Sequence, residues 1–128
     1  MNIESRESSA HLCFIQDLGL IDYQEAYAIQ RQRVADIFHA NISYLLLCEH
    51  PTVLTLGRLG SKDNILVSVD HLQQKGIRIF EVDRGGEVTL HAPGQLVVYP
   101  IFKLSWFKKD LKYYVYNLEK VVIDLLNE

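Results

Sequence analysis

The stretch Asp83–Gln95, DRGGEVTLHAPGQ, decides how this chain is read. Gly85-Gly86 lets the backbone take positive φ and come close to a ligand, because no Cβ stands in the way. Arg84 beside it offers a permanent cation with five N–H donors in a fixed fork, suited to a carboxylate, a phosphate or a carbonyl. Glu87 to His91 alternates as a strand. Thr89 and His91 then share one face, and Leu90 points the other way, into packing. A second tight turn at Ala92-Pro93-Gly94 folds the following run back near that face. The product is a pocket wall with an arginine, exposed amides and one imidazole. The same residues also suit a plain hairpin turn followed by a strand bearing a hydrogen-bonded structural histidine, and local physics leaves both readings open. The segment matches neither G-x-G-x-x-G nor G-x-x-x-x-G-K-[ST], so nucleotide phosphates are not indicated.

Upstream, Tyr44–Cys48 and Thr52–Leu56 are short apolar runs split by Glu49-His50-Pro51, which reads as two buried strands joined by a turn. His50 is then a turn residue near the pocket rim. Gly57–Asn64 is a loop, Asp70–Lys75 makes one or two helical turns with Gly76 just past its end, and Ile77–Val82 is a strand. Downstream, Gln95–Leu104 is an extended run in which Pro100 marks an edge strand or a strand end. Further out, Ile21–His39 places Tyr23, Ala26, Tyr27, Val34, Ile37 and Phe38 on one stripe of an amphipathic helix, capped by Asp22. Its outer face carries Gln24, Arg31, Gln32 and Asp36. From Asp110 a second helix lines up Leu111, Tyr114, Val115, Leu118, Val122, Leu125 and Leu126. Leu12–Leu18 is a short strand, and residues 1–11 read as a ragged or disordered terminus. Neighbouring strands joined by short turns, with helices packed on them, make an α+β arrangement with an antiparallel or mixed sheet.

Composition bounds the function. The 128 residues suit one domain, and 48% hydrophobic with 23% charged residues is an ordinary globular mix. Thirteen basic against sixteen acidic residues leave a net charge of −3, which argues against nucleic-acid binding through a global basic field. No apolar run approaches the roughly 20 residues needed to span a bilayer, and Met1–Ala10 lacks the apolar core of a signal peptide. Cys13 and Cys48 lie far apart in apolar company, so neither a disulfide framework nor a zinc site is expected. The expectation is a reduced, cytoplasmic, soluble protein.

The string RGGEVTLHAPGQLVVYPI (84–101), with LLLCEHPTVLTLGR (45–58) before it, closely resembles the lipoyl(octanoyl) transferase family. That family's pattern is RGG-x-VTYHGPGQLV-x-YPI, preceded by EHP-x-V-x-T-x-GR. The likeness runs from about Leu18 through the last helix, departing at Leu90, where the family has Tyr, and Ala92, where it has Gly. It implies a biotin/lipoate ligase-like (class II synthetase-like) fold, with 12–128 the N-terminal portion of one octanoyltransferase domain shortened at its C-terminal end. The implied reaction moves an octanoyl group from acyl carrier protein to a lysine of lipoyl domains of 2-oxoacid dehydrogenases or the glycine cleavage H protein, the first step of lipoate synthesis, without a cofactor or a metal. In the family a cysteine thiolate attacks the thioester and a lysine lowers its pKa. Those segments are expected beyond Glu128, so no catalytic residue is assigned here, and Cys48 reads as a core thiol. The resemblance implies substrate-binding by Arg84, Gly85, Gly86, Glu87, Val88, Thr89, Leu90 and His91, with Arg84 fixing the loop and lining the acyl region, and His91 bordering the reacting centre. Alternatives are a non-catalytic acyl- or carrier-protein-binding remnant and a lipoate-protein ligase using ATP. The adenylate-binding lysine segment of the ligases has no counterpart here.

Two basic groups are candidate docking sites for an acidic carrier protein: Arg58 with Lys62, and Lys103, Lys108, Lys109 and Lys112 around exposed Trp106 and Phe107. Each also suits an ordinary solvated surface. A chain shortened in this way is expected to expose apolar surface or an open strand edge.

Overall fold

The structure is a computed structural model and describes residues 11–128; the terminus expected to be ragged lies outside the described residues, apart from His11. Strand β1 (Leu12–Leu20) leads into helix α1 (Tyr23–His39), then β2 (Ile42–Glu49) and β3 (Val53–Leu56). Helix α2 (Val69–Gln74) precedes β4 (Arg78–Glu81), β5 (Val88–His91), β6 (Val97–Ile101) and helix α3 (Leu111–Leu126). The strands form two three-stranded mixed sheets, ordered β1-β2-β6 and β4-β3-β5.

Consecutive strands are not hairpin neighbours, contrary to the expectation from short turns. β1 pairs with β2 in parallel, and so does β3 with β4, each pair bridged by a crossover that contains a helix. The antiparallel partners are β2 with β6 and β3 with β5. β2 and β3 therefore run on from one another, as do β5 and β6, making one long ribbon with a break in the middle. Pairing stops at Cys48↔Val97 and resumes at Val53↔His91, so residues 49–52 face residues 92–96 across the gap. The Glu49 carboxylate spans it, accepting a 2.7 Å bond from the Gly94 amide. Gly94 sits at φ +88, where a side chain would be strained, and the turn closes through Gln95 N–H to the Ala92 carbonyl at 3.1 Å.

Local signals set the helix ends. Asp22 caps α1 through Gln24 N–H, Ser68 caps α2 through His71 N–H, and Asp110 caps α3 through Tyr113 N–H. Gly76, with φ +70, ends α2 as expected. The main core joins Ile37 of α1 to Tyr44 and Leu46 of β2 and Ile101 of β6, with Ile29 and Tyr99 against it. Val34 and Phe38, expected on the same stripe, are exposed and border a cleft with Tyr99–Ser105. Pro100 lies on β6, an edge strand among the described residues, the position to which proline is confined in sheets.

Much apolar surface is uncovered among the described residues. α3 has no fully buried side chain and packs on the rest mainly through Tyr114 against Phe107 and Phe102. Of its apolar stripe, Leu111, Val115, Val122, Leu125 and Leu126 are open to solvent. Leu90, expected to pack, is 53% exposed, because no layer among the described residues lies over that face of the β4-β3-β5 sheet.

Candidate functional site

The loop after β4 is not a hairpin. β4 and β5 lie on opposite sides of β3, so residues 82–87 must cross over the end of β3, where the chain continues as Gly57–Gly60. The two segments are laced together: Gly57 N–H donates to the Glu87 carbonyl (2.7 Å), Arg58 N–H to that of Arg84 (3.0 Å), and Leu59 N–H to that of Gly86 (3.2 Å). Gly57 is required by closeness rather than by φ. A Cβ there would stand 2.4 Å from the Gly86 oxygen and 2.8 Å from the Gly85 oxygen.

Arg84 braces this loop. One terminal nitrogen donates to the Gly85 carbonyl at 2.8 Å. The other reaches the Thr55 carbonyl (2.9 Å), the Thr55 hydroxyl (2.8 Å), the Thr89 hydroxyl (2.9 Å) and the Glu87 carbonyl (3.2 Å). Thr55 and Thr89 are directly opposed in the β3–β5 ladder, so both hydroxyls stand on the face from which the guanidinium approaches. These donors are turned towards the chain's own oxygens. What remains open on the loop is backbone: the N–H groups of Gly85 and Gly86 meet no acceptor among the described residues, and Gly86 takes φ +83. Two adjacent free amides are suited to a carbonyl or anionic oxygen.

At the other end of β5, His91 enters a cluster that the sequence did not announce. Its ring stacks near Tyr23 of α1 (centroids 6.1 Å) and meets His50 edge-to-face at 5.5 Å. His50 is wholly buried rather than at a rim. Its Nδ1 lies 2.8 Å from the Ile21 carbonyl, which only accepts, so Nδ1 carries the proton. Nε2 therefore accepts from the Tyr99 hydroxyl, 2.8 Å away. Desolvation lowers the His50 pKa, opposed by the Ile21 bond and assisted by His91. Burial likewise raises the Tyr23 and Tyr99 hydroxyls above the ordinary phenol value, Tyr99 the more strongly. Tyr99 and Glu49 belong to the two recognisable motifs, which was a signal for them. Tyr23 carried none beyond its place on a helical stripe.

Neutral burial of His50 makes stability pH-dependent. The folded chain holds His50 neutral below 6.5, where the unfolded chain takes up a proton. Its contribution is complete above about pH 6.5 and declines as the pH falls towards the lowered native value. The groups facing it are His91, Tyr23, Tyr99 and Cys48. Thermal melts should show a smaller drop between about pH 7.5 and 5.5 for His50→Gln than for the parent chain. Equal drops would place the titration elsewhere.

The remaining candidates are sorted by geometry. Cys48 is buried, and desolvation followed by the charge of Asp17 raises its pKa, which suits a core thiol and not a nucleophile. Cys13 is exposed. Lys103 donates to the Ala40 carbonyl at 2.6 Å, so it is a strut and leaves the basic group. Trp106 is half-buried against His11 (centroids 4.1 Å) and Phe107 against Tyr114, neither being the exposed ring expected. Lys108 covers the Tyr113 ring, Lys62 pairs with Glu81 at 3.0 Å, and Arg58, Lys109 and Lys112 stay exposed. The larger clefts, about 620 Å³ beside α2 and β4 and about 750 Å³ beside α1 and β6, are not lined by residues 84–91. The Arg84–His91 stretch is thus an open wall, and its chemistry rests on donors and rings rather than on enclosed volume.

Residues 22–128 match the family model described as the lipoyl protein ligase A/B catalytic domain. The chain belongs to this family, and its α+β architecture is that of a lipoate ligase-like catalytic domain. It is 52% identical over 112 residues to the octanoyltransferase of Caldicellulosiruptor bescii, covering 87% of this chain and 49% of that protein. Against the octanoyltransferase of Solibacter usitatus it is 46% identical over 117 residues, covering 91% and 53%. Against that of Chloroflexus aurantiacus it is 49% identical over 110 residues, covering 85% and 49%. The chain spans about half the length of these relatives. Among the described residues, no helix is long and apolar enough to cross a membrane.

Proposed function

We propose that this chain carries the acyl-binding wall of an octanoyltransferase that moves an octanoyl group from acyl carrier protein to a lysine of lipoyl domains, a step of lipoate synthesis in the cytoplasm. The observation that supports this best is the braced glycine loop, which leaves the Gly85 and Gly86 amides free at one end of β5 while His91 borders the other. The acyl carbonyl accepts from the amides, and the substrate lies along Arg84, Gly85, Gly86, Glu87, Val88, Thr89, Leu90 and His91. Arg84 acts by holding the loop. Exposed Leu90 offers apolar surface to the acyl chain. Residues 12–128 form the N-terminal portion of one catalytic domain, and the catalytic lysine and cysteine come from outside them. Lys109, Lys112 and Arg58 supply positive charge for an acidic carrier protein. The acceptors are lipoyl domains of 2-oxoacid dehydrogenases or the glycine cleavage H protein.

A second reading, binding without turnover, is favoured by the buried Cys48 thiol. One experiment addresses both. Octanoyl-carrier protein titrated into the chain should bind; His91→Ala should weaken binding about tenfold, the worth of one good hydrogen bond, and Arg84→Ala should weaken it by releasing the loop that presents the amides. No change with either variant removes the wall assignment. Adding a lipoyl domain should give no transfer by this chain alone. Turnover abolished by Cys48→Ala or Cys13→Ala would show that the nucleophile lies within it.

A further inference from the structure

We infer that Gln95 is a positioning residue that sets the tautomer of His91, keeping the proton on Nδ1 and presenting Nε2 as a hydrogen-bond acceptor to the substrate. Gln95 Oε1 lies 2.7 Å from His91 Nδ1. The amide's orientation is independently fixed, because its nitrogen donates to the Leu90 carbonyl at 3.4 Å, which leaves the oxygen facing the imidazole. An amide oxygen only accepts, so the proton must sit on Nδ1. In a histidine the hydrogen bond made by one ring nitrogen decides the state of the other, and here Nε2 is left with its lone pair. Nε2 meets no hydrogen-bond partner among the described residues, and His91 is only half-buried, so that lone pair is available to a ligand.

The surroundings enforce this state. Gln95 reaches His91 only because the Ala92–Gln95 turn doubles back, and that turn is held by Gln95 N–H on the Ala92 carbonyl and by Glu49 on the Gly94 amide. The ring cannot easily turn over to exchange its nitrogens, being placed between Tyr23, nearly parallel at 16°, and His50, at 68°. His50 has both its nitrogens occupied, by Ile21 and Tyr99, so it competes for neither nitrogen of His91. Glu49 and His50 thus fix, from adjacent positions, the turn and the floor on which His91 rests.

A free Nε2 acceptor selects a ligand group that carries an N–H or O–H. That this group belongs to the octanoyl-carrier substrate rests on the proposed octanoyl transfer, in which the substrate lies along β5 with its acyl carbonyl at the far end. The tautomer itself does not depend on that reading.

The test is nitrogen NMR of chain labelled with ¹⁵N-histidine, above the imidazole titration range, with signals assigned by single His→Gln variants. His91 should show the pattern of an Nδ1-protonated ring. Gln95→Leu should move it towards the Nε2-protonated pattern, and Gln95→Glu should restore Nδ1 protonation. His50 should remain Nδ1-protonated in every variant, reporting an intact fold. A parent chain with His91 protonated on Nε2, or a Gln95→Leu chain with the His91 pattern unchanged, overturns the inference. Should Gln95→Leu not fold, the parent and Gln95→Glu spectra still decide it. A separate titration of octanoyl-carrier protein distinguishes the two ideas: an Nδ1-protonated His91 in a chain that binds no acyl carrier leaves the tautomer standing and removes the transferase reading.

Discussion

Arg84→Ala should lower the unfolding free energy by about 3–4 kcal/mol, because hydrogen bonds from a charged group are worth about 1.5–3 kcal/mol each and several end at once. The guanidinium holds two carbonyls of its own loop, at Gly85 and Glu87, together with both oxygens of Thr55 and the hydroxyl of Thr89. The effects of these bonds will not add, since they share one side chain. The decisive point is Thr55, which is fully buried: its hydroxyl would lose its partner where no water replaces it. Arg84→Lys should recover less than half of the loss. A lysine carries the charge on one small ammonium and cannot span Thr55, Thr89 and the loop carbonyls together. Urea denaturation followed by circular dichroism measures both variants. A loss below about 1 kcal/mol for Arg84→Ala would mean the loop is held by its backbone lacing alone.

Which parts of the molecule were legible in the sequence follows from the range of the forces involved. Helix ends were readable, because Asp22, Asp110 and Gly76 act on bonds within one turn of themselves. The strands were readable as apolar runs, and their α+β character followed. Their pairing was not. Nothing local in Val53–Leu56 says that β4 and β5 take opposite sides of it, and this ladder order alone turns the Arg84 loop from a hairpin into a crossover. Thr89 and His91 shared a face as period two requires, yet what the face meets was set by α1, which places Tyr23 above it from nearly seventy residues away. His50 shows the same limit. A histidine before a proline reads as a turn, and its complete burial comes from Ile21, Tyr23 and Tyr99, all distant in sequence. Leu90 and the α3 stripe erred in the other direction: apolar pattern alone promised packing that the described residues do not supply.

The break in the long ribbon joins these observations. An unbroken β2–β3/β5–β6 ribbon would carry its ladder straight through residues 49–52 and 92–96 and leave no room for a buried histidine. The break puts His50 inside, turns Gln95 back on His91, and frees the Glu49 carboxylate to hold the Gly94 amide. At the opposite end of β5 the Arg84 loop closes over β3. The four-residue strand between them is thus anchored at both ends, which gives its exposed face a fixed geometry without an enclosing cavity.

Gly57→Ala should be the most damaging single methyl group in the chain, costing about 3 kcal/mol, the upper part of the range for overpacking a rigid site. The cause is not backbone conformation, since Gly57 does not occupy the left-handed region. The new Cβ would meet the Gly86 oxygen at 2.4 Å, the Gly85 oxygen at 2.8 Å and the Arg84 guanidinium at 2.9 Å. The first two are backbone atoms. Neither can retreat without stretching the bonds from Gly57, Arg58 and Leu59 to the 84–87 loop. Relief therefore requires the loop to lift away from β3, taking the Gly85 and Gly86 amides with it. Gly85→Ala provides the contrast, because its Cβ meets nothing within 4 Å and its φ is unexceptional. That variant should unfold within about 0.5 kcal/mol of the parent, as an exposed substitution away from special features does. On the proposed acyl-binding reading it should nevertheless weaken binding of octanoyl-carrier protein, since its methyl group would stand beside the free amides. Chemical denaturation and binding titration of the two variants, made side by side, separate a glycine kept for packing from one kept for access. Equal stability of Gly57→Ala and the parent chain would show that the two loops are not in the contact described.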